Sequence, residues 1–157
     1  MIKRQPVGIW FNVFVAVLTI ASVIVYSVNI SSDGYFKDAS VSNLVAYCVV
    51  VILMLAIVIA LAQLKLAGPS AMAVEIISGL LRIVIPVLLA LCLVSLISAR
   101  AEGLGFIFFS NEEVLKEVQT PANMSSAIGT IANMICLGAA AIFAMIAAFF
   151  TLRKKDA

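Results

Sequence analysis

Polar and apolar positions fall in blocks along this chain. Four apolar runs, at residues 9–30, 44–64, 71–98 and 121–152, are separated by polar segments at 31–43, 65–70 and 99–120. A helix rises about 1.5 Å per residue, so about 20 apolar residues span the roughly 30 Å of a hydrocarbon core. Each run is that long or longer. The second is rich in valine and isoleucine, which in a short soluble segment would suggest a strand, but its length and lack of period-two alternation select helix. The pattern predicts an all-α polytopic membrane protein: one domain over residues 1–157, a four-helix transmembrane bundle with up-down topology. A short amphipathic helix is expected in the last outer loop.

The polar blocks supply the punctuation. Residues 31–43 are turn-rich and join antiparallel neighbours. In the next connection Gly68 and Pro69 break the chain, Ser70 is placed to cap the third helix, and spans two and three form a hairpin. The longest loop, 99–120, holds Phe106, Phe108 and Phe109, too apolar for free solvent. Ser110 to Glu113 then match a capping box. A helix to about Gln119 turns Val114, Leu115 and Val118 one way and Glu112, Lys116 and Glu117 towards water. Phe106, Phe108, Phe109, Glu112, Glu113 and Glu117 form a candidate docking surface; the alternative is a connector lying on the membrane. Thr120 and Pro121 read as the cap and first residue of the fourth helix.

Composition agrees with the pattern. Hydrophobic residues make up 64% of the chain and charged residues 11%, against about 45–50% and about 25% in soluble domains. The bilayer is the expected partner, and a net charge of +2 gives no reason to expect nucleic acid. Histidine is absent, which removes the usual neutral-pH base and the commonest metal ligand. Cys48, Cys92 and Cys136 are widely spaced within apolar runs and read as small hydrophobes. No cofactor or metal is expected. The first span comes after Lys3 and Arg4, but its length and the lack of a small-residue cleavage site make it a retained span, not a signal peptide. Trp10, Tyr26 and Tyr47 suit interfacial belts, and Asn12 a position at the membrane entry.

The third run is the only one with ionisable residues inside it. Glu75 and Arg82 lie two turns apart, with Ser78 and Gly79 on the same face between them and Pro86 one turn further. With Ala71 at the membrane surface, Arg82 falls near mid-membrane and Glu75 is its only candidate partner within the spans. These five residues are the candidate intramembrane site, since buried charge in a bilayer marks function by default. The alternative is a later start to the span, with Arg82 snorkelling to headgroups. In the fourth run Ser125, Gly129 and Asn133, then Ala140, Ala144 and Ala148, recur every four residues and form candidate helix-packing faces.

Placing both termini in the cytoplasm puts Lys3, Arg4, Lys65, Arg153, Lys154 and Lys155 inside and Lys37, Arg100 and Lys116 outside, as the positive-inside rule requires. The expected location is the plasma or inner membrane. The expected function is that of a non-catalytic subunit, assembly factor or scaffold of a larger membrane complex. Its partner is either that complex or further copies of itself. Two alternatives are a homo-oligomeric transport module using the Glu75/Arg82 face and an intramembrane enzyme, for which no nucleophile-base pair is visible.

Overall fold

The computed structural model describes residues 6–64 and 68–150. It is helical throughout, with no strand among the described residues. The elements are α1 (Val7–Ser31), α2 (Leu44–Gln63), α3 (Pro69–Phe109), α4 (Glu112–Val118) and α5 (Pro121–Phe149). Four of them are long and apolar enough to cross a membrane. Ile24, Leu53, Ile83 and Ile135 are all more than half exposed on their outer faces. Water would not tolerate so large an apolar surface, and lipid requires it. The chain is a multi-pass membrane protein.

The long helices form a closed ring in which α1 packs on α2 and α5, and α3 packs on α2 and α5. Buried positions keep an alternating three-and-four spacing. On α1 they include Gly8, Asn12, Val15, Thr19, Ser22, Tyr26 and Asn29. On α2 they are Leu44, Cys48, Val51, Leu55 and Val58, and on α5 they include Thr130, Asn133, Leu137, Ala140, Ala144 and Ala147. This is the seam spacing typical of left-handed bundles.

Three boundaries differ from those that the apolar runs and capping residues predict. The third helix does not stop near residue 98: α3 is 41 residues long, about 61 Å, and absorbs Arg100 to Phe109 from the expected loop. Ala101 and Leu104 favour helix and no proline intervenes, while Gly103, although a weak helix former, allows close packing. The capping residue of α4 is Asn111, whose side chain accepts from Val114 N–H at 3.0 Å. Ser110 instead ends α3, donating to Phe106 O at 2.7 Å. Gly68, not Ser70, precedes α3, with Pro69 in its first turn. Helix α3 runs on through Pro86. The cap at Thr120 is as expected, accepting from Asn123 N–H at 3.2 Å. The turn at 65–67, residues 151–152 of the fourth span, and the basic residues Lys3, Arg4, Lys65, Arg153, Lys154 and Lys155 lie outside the described residues.

Candidate functional site

Arg82 does not reach back to Glu75. Its Nη2 donates to the carbonyls of Ala147 and, at 2.5 Å, of Phe150. These belong to the last turn and C-cap of α5, where the helix dipole is negative and where the Ala147 carbonyl also accepts from Phe150 N–H at 3.2 Å. Arg82 is therefore a cationic cap supplied by one helix to the end of its neighbour. Glu75 is exposed. Ser78 donates locally to Glu75 O at 3.1 Å, and a Cβ at Gly79 would meet nothing within 4 Å. Of the five residues expected to form one site, the structure places Arg82 and Pro86 against the bundle and leaves Glu75, Ser78 and Gly79 outside any shared cluster. Arg82 lies level with the last turn of α5. A helix twice as long as the hydrocarbon is thick need not enter it at Ala71.

A second arginine, unmarked by any sequence pattern, does the same at the other end. Arg100 is 3% exposed. Its Nη2 donates to Ala39 O in the α1–α2 loop, and its guanidinium lies 4.6 Å from the centroid of the Phe36 ring. Arg82 and Arg100 are eighteen residues apart on α3, about 27 Å, close to the roughly 30 Å of a hydrocarbon core.

The loop that Arg100 holds is a plug. Phe36 is buried against Ile107 and Ala127. A Cβ at Gly103 would lie 2.6 Å from Phe36 Cε1 and 2.7 Å from Tyr35 Cε1, so the ring seats where α3 has no side chain. Gly34, at φ +152°, approaches α5 so closely that a Cβ would sit 2.8 Å from Ala122 O. Tyr26 is buried, not a belt residue, and its hydroxyl accepts from Val41 N–H at 2.5 Å. Outside the plug Lys37 bonds Asp33 at 2.6 Å, the one salt bridge among the described residues. That contact holds the Asp33 carboxyl below and the Lys37 ammonium above their ordinary ranges.

Below the plug runs a ladder of buried polar side chains between α1 and α5. Phe36 N–H donates to Ser126 Oγ at 3.3 Å, and Ser126 Oγ donates to Asn29 Oδ1 at 3.0 Å. Asn29 Nδ2 donates to Thr130 Oγ1 at 2.8 Å, and Ser22 Oγ donates to Asn133 Oδ1. Thr19 and Asn12 bond their own helix, to Val15 O at 2.8 Å and Gly8 O at 2.7 Å. Asn12 is thus turned into the seam. Of the predicted packing face on α5, Asn133, Ala140 and Ala144 are buried, and Gly129 lies against Asn29, 3.4 Å from a built Cβ to Cγ. Ser125 is exposed and Ala148 half-buried, because the seam takes the three-four spacing through Ser126 and Thr130, not a strict repeat of four.

At the loop end Phe108 is half-buried, Phe106 and Phe109 are exposed, and Glu112, Glu113 and Glu117 point to solvent from α4. Val114, Leu115 and Val118 are half-buried, as their spacing predicts. Among the described residues no group of three or more metal-ligating side chains is assembled. Comparison with protein-family models, curated proteins and solved structures finds no match in any of the three.

Proposed function

We propose that this protein is a non-catalytic component of a larger membrane assembly, a small subunit or scaffold that works through its surface. The observation that carries this reading is the use made of the polar groups inside the bundle. Arg82, Arg100, Ser22, Asn29, Ser126 and Thr130 all bond to other parts of the same chain. Buried polar groups spent in this way fix the fold and leave the outer surface for recognition. The proposed threading puts both termini in the cytoplasm of a cell with a plasma or inner membrane, in keeping with the distribution of basic residues. A homo-oligomeric transport module would have to bring copies together over Glu75, Ser78 and Gly79, since Arg82 is engaged elsewhere.

Gentle extraction and then native mass spectrometry tests the proposal. The expected result is a stable complex with a different membrane protein. A monomer alone overturns it, and a ring of identical chains favours the transport module instead.

A further inference from the structure

We propose that the free face of α3 beyond Arg100, formed by Glu102, Phe106 and Phe109 with Tyr35 beside them, seats a basic segment of the partner protein that also carries apolar side chains. This rests on the component reading above and adds a place and a chemistry to it. Residues 102, 106 and 109 are spaced four and three apart and share one helix face. Phe109 is 87% exposed, and Phe106 and Tyr35 each 42%. The Tyr35 and Phe106 rings lie 6.0 Å apart, and Gly105 beside them has open space where a Cβ would be. The opposite face is fixed, with Gly103 and Ile107 packed on the plug. The rings therefore sit on a rigid shelf.

The acyl chains end short of this shelf. The sulfur of Cys92 lies 3.8 Å from Leu44 O, which sets the first turn of α2 level with the Cys92 region of α3. The α2 helix has only 20 residues with which to cross the hydrocarbon, so the hydrocarbon edge lies no further out than Arg100. Phe109 is nine residues beyond Arg100, about 13 Å. The headgroup layer adds only about 5–8 Å on each side. The exposed rings stand in water, where an uncovered aromatic patch marks a protein contact.

Charge selects the occupant. Asp33, Asp38, Glu102, Glu112, Glu113 and Glu117 all lie at this end. Of the three basic residues there, Lys37 is held by Asp33 and Arg100 is turned inward to Ala39, which leaves Lys116. Glu112 and Glu113 come within four residues of Phe109. Arginine or lysine on the partner would meet carboxylates and ring faces together. A second copy of this chain would set like charges against each other.

A photo-crosslinking amino acid placed at position 109, and separately at 102, in the full-length chain in native membranes tests this, with position 135 on the lipid face as the control. The expected result is one protein adduct at 109 and 102, absent at 135, whose crosslinked peptide contains lysine or arginine beside apolar residues. Glu102→Lys should lower its yield at 109 at least tenfold, and Glu102→Gln less. Adducts only to lipid, to another copy or to an acidic peptide, or no adduct, would overturn the proposal. If native mass spectrometry still shows a hetero-complex in that case, the face is wrong and the component reading stands. A solitary chain overturns both.

Discussion

Arg82 and Arg100 face the same difficulty eighteen residues apart on one helix, and both turn to backbone carbonyls instead of a carboxylate. Each contact gives one guanidinium nitrogen, Nη2, a carbonyl acceptor, a charge-assisted bond, while the buried Nε of both arginines has no acceptor among the described residues. Arg82→Leu leaves the Ala147 and Phe150 carbonyls without that donor and should lower stability by about 1–3 kcal/mol. The checks are the unfolding midpoint in mild detergent and faster amide exchange in the last turn of α5. Glu75→Gln should leave both unchanged, since the Glu75 side chain is exposed and takes no part in that contact. Glycine substitutions should separate by sign. Gly103→Ala drives a methyl into the seated rings of Phe36 and Tyr35 and should cost about 1–3 kcal/mol. Gly105→Ala, two residues on and facing open space, should be neutral or gain up to about 1 kcal/mol from helix propensity. Thermal unfolding of the two variants side by side reads the difference.

Between helices, lipid supplies little hydrophobic drive, so the contact of α1 with α5 depends on close packing and on the polar ladder. A double-mutant cycle on Asn29→Ala and Thr130→Ala should give a coupling of about 0.6 kcal/mol, the average of such bonds in a membrane bundle, and no more than about 1.7 kcal/mol. A cycle pairing Asn29→Ala with Ser78→Ala should give none. The four spans, the cap at Thr120 and the faces of α4 are legible in run length and local capping chemistry. The partner of Arg82 is not, because helix spacing alone cannot tell whether a long cation turns to its own helix or to a neighbour's end. The ladder escapes a reading that takes Tyr26 and Asn12 singly as interfacial, but α1 carries its signal: Asn12, Thr19, Ser22, Tyr26 and Asn29 fall on the three-and-four spacing of the buried positions of an otherwise greasy helix. In lipid that phase of polar residues marks the buried side, whatever the position of each along the membrane normal. Arg100 leaves no such mark, because its partners, Phe36 and Ala39, lie in a loop whose docking depends on the absence of a side chain at Gly103.

As a whole the molecule is lopsided. At 41 residues α3 is longer than any of its neighbours, and its Arg100 end gathers Asp33, Asp38, Glu102, Glu112, Glu113 and Glu117, most of the acidic residues in the chain. A cysteine at position 109 should react quickly with a membrane-impermeant maleimide added to intact cells, and one at 135 slowly. Labelling from outside checks the proposed threading; labelling only after lysis would reverse it. The ladder has a further consequence for biosynthesis. Asn29 bonds residues 97 and 101 positions later in the chain. At about 5–20 residues per second of translation, α1 has to wait roughly 5–20 s for the helix that satisfies it. Until α5 emerges, its amide and hydroxyls need water or a helper at the insertion site, and a ribosome stalled before residue 121 would leave a product that quality-control proteases can recognise as incomplete.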